Sequence, residues 1–139
     1  MKWIKVVTPR AQPTEGDHRS WKPQIACDCG HRCVYCAISE AQYGGLDNFH
    51  VDHFRPKSRF KELANNIGNL FLACGICNRF KSDDWPAEPC PRNSRPAYPD
   101  PSVHDYAMLF AVDARTFVVS GGSVASARSR AGCLCNPAR

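Results

Sequence analysis

Short apolar runs, broken by proline, glycine and polar stretches, set the pattern of this chain. Trp3-Ile4-Lys5-Val6-Val7 is rich in β-formers and predicts a short strand. Residues 8–19, with prolines, a glycine and mixed polar groups, read as loop. Pro23 suits the start of a helix through Cys29, with Gly30 placed to end it. After Cys33-Val34-Tyr35-Cys36, residues Ala37 to Tyr43 predict a helical turn stopped by Gly44-Gly45. Phe49 to His53 and Leu70 to Ala73 predict two strands, with a helical turn at Lys61 to Ala64 in their connection. A helix should begin near Cys74 or Gly75 and end before Pro86. Six prolines from Pro86 to Pro101, both included, predict an extended surface segment. Val103 to Val112 and Phe117 to Ser120 flank Asp113-Ala114-Arg115-Thr116 and predict a peripheral hairpin. Beyond Gly121-Gly122 almost no large apolar residue occurs, so 123–139 is expected to be a tail of little order after one domain over 1–122.

Composition adds three constraints. The 139 residues suit one domain, and 11 prolines make it loop-rich, so a metal staple would be useful. No apolar run is long enough to span a bilayer, and Met1 to Val7 is too short and interrupted for a signal peptide. A cytoplasmic protein without membrane partners is expected. Its nine cysteines would then favour metal over disulfides. The net charge of +5 does not by itself argue nucleic-acid binding, since Arg128, Arg130 and Arg139 lie in the tail. The clustering of Arg55, Lys57, Arg59, Lys61, Arg79 and Lys81 is the better argument.

Two kinds of chemistry stand out. Cys33-x-x-Cys36 and Cys74-x-x-Cys77 offer four thiolates, which fit tetrahedral Zn²⁺; free buried cysteines are the alternative. Cys27 and Cys29, two apart on a helix, would face different sides, while Cys90, Cys133 and Cys135 have no clear partner. All five read as structural or incidental, and His31 as a surface imidazole rather than a ligand. Asp52-His53 ends the first strand, Asn69 opens the second, and Asn78 lies on the following helix. An imidazole beside a carboxylate, with an amide returning on a helix, can cut phosphodiesters using one divalent metal. His53 would be the general base, since a free imidazole titrates near ~6.5. Asp52 and Asn78 would supply an anionic and a neutral oxygen to Mg²⁺ or Mn²⁺. Lys81, three residues past Asn78, should share its face; it is the first expected phosphate contact, followed by Lys57 and Arg55. The bland alternative is a solvated charged face.

From Gly30 to Pro86 the ordered set resembles the HNH nuclease family. Asp52-His53-Phe54-Arg55-Pro56-Lys57-Ser58 is similar to that family's DHxxPxS pattern, and the two Cys-x-x-Cys pairs are similar to its zinc-bearing branch. The resemblance implies a small α+β fold with a ββα-metal (His-Me finger) core, a two-stranded hairpin and a helix around a metal, stapled by a structural four-cysteine zinc site. It implies an endonuclease, most readily of DNA, leaving 5′-phosphate and 3′-hydroxyl ends. It also implies that Asn69 ties the loop to the hairpin and orients His53; the alternative for Asn69 is an ordinary turn residue. His50 would be an additional ligand or a solvent-facing residue. A zinc-stapled nucleic-acid-binding module without catalysis is the competing reading. Trp21-Lys22-Pro23-Gln24 and the proline-rich follow-on resemble stand-alone bacterial HNH proteins encoded beside AAA-type ATPases in phage defence, which implies an ATPase partner. No base-reading device or aromatic stacking series is evident.

Overall fold

The computed structural model of the chain describes residues 2–85, 98–113, 115–116 and 119–121. Its centre is an antiparallel hairpin of β1 (Phe49–His53) and β2 (Leu70–Cys74), followed directly by the helix α2 (Gly75–Lys81). A preceding helix, α1 (Lys22–Asp28), packs on the hairpin, and Gly30 takes the left-handed backbone, φ +61°, that turns the chain away from it. All five residues of β2 are buried. Such a strand needs cover on both faces; α1, which buries Ile25, and Phe54 supply part of it. Phe54 meets Phe71 and Trp85 edge-on, with ring centres 5.9 and 5.2 Å apart.

The edge of β2 not paired with β1 explains one departure from expectation. Trp3 to Val7 forms no strand. The polar groups on that edge already have other partners. Arg10 donates to the carbonyl of Leu70 at 2.6 Å, the Leu72 amide donates to Cys29 Sγ at 3.4 Å, and the Val34 amide donates to the Leu72 carbonyl at 3.0 Å. The N-terminal arm is held elsewhere: Trp3 and Val6 are buried, Trp3 Nε1 donates to the Tyr35 carbonyl at 3.3 Å, and the Val7 amide donates to the Asp28 carbonyl at 3.0 Å. Arg10 continues that anchorage through Asp28 at 2.9 Å and lies 5.3 Å from the centre of the Phe71 ring.

Two other expectations shift. The turn expected over Ala37 to Tyr43 begins later. Ala37 is left-handed, φ 61°, Ser39 bridges Arg32, and only the segment from Ser39 to Tyr43 closes a helical turn. The expected arm Val103 to Val112 is mostly not strand. Asp105 caps a short helix, α3 (Tyr106–Leu109), by accepting from the Ala107 amide at 2.9 Å. Only β3 (Phe110–Val112) pairs, with β4 (Val119–Gly121). The expected helical turn at Lys61 is present over Lys61–Leu63. Cys27 is exposed and Cys29 buried, as their two-residue spacing requires. The proline-rich segment from 86 to 97 and the tail 123–139 lie outside the described residues. Among the described residues no helix is long and apolar enough to cross a membrane.

Candidate active site and metal centre

The two Cys-x-x-Cys knuckles converge. The sulfurs of Cys33, Cys36, Cys74 and Cys77 all lie within 4.8 Å of one another, and the Cys36 and Cys74 sulfurs are 3.8 Å apart. Tetrahedral zinc with Zn–S bonds of ~2.3 Å places its sulfurs ~3.8 Å apart, so the donor set fits that ion. Local structure builds each knuckle. Left-handed Ala37 turns the chain back after Cys36, and its amide donates to the Cys33 carbonyl at 2.9 Å. Cys74 caps α2, its sulfur accepting from the Cys77 amide at 3.4 Å. Hydrogen bonds from Cys33, Cys36 and Cys77 push the Cys74 thiol far down, while burial pushes Cys33 well up. Buried Cys29, outside this group, is pushed up to about 11 by burial.

The first knuckle also reaches the proposed catalytic residues. Between its cysteines, Tyr35 Oη donates to Asp52 Oδ2 at 2.5 Å. Lys81 Nζ donates to Asp52 Oδ1 at 3.2 Å and to the His53 carbonyl at 2.8 Å. Both oxygens of the buried carboxylate are thus oriented, yet each keeps a second acceptor position. His53, its neighbour on β1, projects differently. The ring is half-buried, and its Nε2 lies 3.0 Å from the Ala64 carbonyl. A carbonyl only accepts, so Nε2 carries the hydrogen and Nδ1 keeps a lone pair. Burial holds the His53 pKa below the ordinary imidazole value, with His18 and Lys57 adding to the effect.

Asn69 holds the loop after β1. Its Oδ1 accepts from the Arg55 amide at 2.8 Å, its Nδ2 donates to the Arg55 carbonyl at 3.1 Å, and its carbonyl accepts from the Phe54 amide at 2.9 Å. Asp52, His53 and Asn78 line one cleft of about 380 Å³, together with His18, Lys57 and Arg79. The Asn78 side chain makes no hydrogen bond among the described residues.

The cationic residues divide differently from their expected order. Lys81 is buried in its ion pair with Asp52, both side chains about 5% exposed or less, whereas Arg79 and Lys57 line the cleft. The short α2 packs its last turn across the end of β1, which carries Lys81 inward. Arg55 lies over the rings of Phe60 and Trp85, 5.5 and 5.7 Å from their centres, and is not among the cleft-lining residues. His50 is exposed beside Gly75, outside the cleft; a Cβ at Gly75 would sit 3.4 Å from His50 Nε2.

Burial makes Lys81 testable. Lys81→Met should destabilise the fold by roughly 3 kcal/mol or more, because it strands the Asp52 charge. Urea denaturation reads this directly. A solvated phosphate-binding lysine would leave stability within about 0.5 kcal/mol of the parent.

His18 was not anticipated from the sequence. It sits in the N-terminal loop, its ring edge-on to His53 with centres 4.7 Å apart. Asn65 Oδ1 accepts from its backbone amide at 3.1 Å and lies 3.0 Å from its Nδ1. No spacing rule links residue 18 to residue 53; only the path of the arm brings them together.

Residues 33–84 match the family model described as HNH endonuclease. The matched stretch contains both cysteine knuckles, the hairpin and α2, while α1 and the arm carrying His18 lie before it. This domain points to a nuclease-type hydrolase acting on nucleic acid. Neither the curated proteins nor the solved structures gave a match.

Proposed function

We propose that this protein is a metal-dependent endonuclease, with DNA as its substrate and His53 as general base. The observation that carries the reading is the tether of His53 Nε2 to the Ala64 carbonyl, which leaves Nδ1 as the basic nitrogen in a cleft shared with Asp52 and Asn78. Nδ1 takes a proton from water as its oxygen bonds phosphorus; the bond to the departing 3′ oxygen breaks, and that oxygen gains a proton from solvent. Products carry 5′-phosphate and 3′-hydroxyl ends. Depressed basicity keeps His53 neutral, hence ready to accept, at pH 7.

Asp52 and Asn78 would hold one Mg²⁺ or Mn²⁺. Their hard oxygen donors suit such an ion, and the Asp52 oxygens have acceptor capacity beyond Tyr35 and Lys81. A bound divalent cation supplies charge stabilisation at the phosphoryl and leaving oxygens. Lys81 orients the carboxylate from inside rather than touching substrate, and Asn69 fixes the loop after His53. Lys57 and Arg79 face the phosphate backbone from the cleft wall. Zinc on Cys33, Cys36, Cys74 and Cys77 is structural.

Incubating purified protein with plasmid, single-stranded DNA and RNA, with and without Mg²⁺ or Mn²⁺, tests the reading. Metal-dependent nicking of plasmid, lost in His53→Ala, is expected. Binding without cleavage under every condition would instead make this a zinc-stapled binding module. The Trp21-Lys22-Pro23-Gln24 lead-in supports a further proposal, a cytoplasmic phage-defence nuclease working with an AAA-type ATPase, tested by co-purification.

A further inference from the structure

His18 lines the same cleft and belongs to no motif that defines it. Its ring is anchored as deliberately as that of His53. Asn65 Oδ1 is an acceptor, so the hydrogen it takes from the ring is on Nδ1, and Nε2 is the nitrogen left over. For His53 the assignment is reversed, with Nε2 tied to the Ala64 carbonyl and Nδ1 left over. Adjacent residues, Ala64 and Asn65, thus fix two imidazoles through opposite nitrogens. The rings meet at 72° with centres 4.7 Å apart. Gaining a proton at Nε2 breaks no hydrogen bond at His18, because the bond through Nδ1 is kept in both states.

We propose that His18 is a substrate-contacting residue, whose imidazole, protonated at Nε2, donates a charged hydrogen bond to a non-bridging oxygen of the phosphodiester that His53 prepares for hydrolysis. The inference rests on the proposed nuclease reading. In-line displacement puts the attacking and leaving oxygens on opposite sides of phosphorus. A ring packed against His53 sits on the side from which His53 would activate water, away from the leaving oxygen of an in-line displacement. The non-bridging oxygens are then the phosphodiester acceptors that suit a donor at this place. The titratable and charged groups that share the cleft with His18 are Asp52 and His53 on β1, Lys57, Arg79 and Asp83, with Asp17 and Arg19 beside it on its own loop. The N-terminal arm, which precedes the family match, thereby completes the phosphate-binding wall.

The test measures binding of a short labelled DNA duplex to His53→Asn, which keeps a side chain against His18 but removes the base. Lowering the pH from about 8 to about 6 should tighten binding, and adding His18→Ala should weaken binding about 10-fold at the lower pH with little effect at the higher, as for loss of one charge-assisted hydrogen bond. His18→Gln, which keeps a neutral donor, should also lose the pH-dependent part. Other histidines contribute equally to each pair and cancel. In otherwise unaltered protein, His18→Ala should raise KM for plasmid. A ring that merely wedges His53 in place would lower kcat and leave duplex binding unchanged at both pH values; that result, with an active parent, overturns the inference alone. A parent that cleaves none of the three nucleic acids overturns the nuclease reading and this inference together.

Discussion

Cys74→Ser, or removal of metal by a strong chelator, should unfold the hairpin and α2 together. Cys74 is at once the last residue of β2, the cap of α2 and a member of the sulfur cluster. Replacing its sulfur therefore affects a strand end, a helix start and the candidate zinc site in one step. Structural zinc binding contributes roughly 10–16 kcal/mol in small zinc domains, which equals or exceeds the roughly 5–15 kcal/mol by which domains of this size are stable. The first knuckle would be released as well, and with it the Tyr35 hydroxyl that orients Asp52. Circular dichroism and thermal melts, read beside metal analysis of the purified protein, follow the loss. Protein that contains no zinc and melts unchanged in chelator would show that the four sulfurs are ordinary buried thiols.

Elements whose causes are local were legible in the sequence. The hairpin, α2 and the two knuckles rest on spacings of a few residues, and they stand within a residue or two of the expected bounds. Features set by long-range competition were not legible. Trp3 to Val7 has strand propensity, but the β2 edge it would need is occupied by Arg10, Cys29 and Val34. Lys81 follows helical spacing from Asn78, yet spacing alone could not say which face of a two-turn helix meets β1. Likewise, Asp105 reads as one more polar residue in an arm of a hairpin until its capping bond to Ala107 is seen. His18 is the extreme case, since its relation to His53 depends on the whole course of the arm.

His53→Ala should abolish cleavage, by at least the roughly 10²–10⁴-fold associated with a general base, while folding and nucleic-acid binding persist. Asn78→Ala should also slow cleavage, but excess Mg²⁺ or Mn²⁺ should partly restore it. The difference follows from position. His53 hands one nitrogen to Ala64, and the other is the proposed acceptor of the water proton, so no added ion should replace it. As a proposed ligand Asn78 would contribute one neutral oxygen, so its loss should weaken metal affinity, which concentration can offset. Asp52 needs a gentler change than alanine, because its carboxylate also receives Tyr35 and the buried Lys81. Asp52→Asn keeps the shape, and its cleavage defect should exceed that of Asn78→Ala because it removes the proposed charged ligand. The pH profile supplies a second check. The base works unprotonated, and burial lowers the pKa of His53, so the rate should fall on the acid side only below the ordinary imidazole value of about 6.5. A divalent cation held by Asp52 would push the same way. Metal titrations of the three variants on one plasmid substrate decide the assignment: if His53→Ala recovers with metal as readily as Asn78→Ala, His53 is a ligand and the base lies elsewhere.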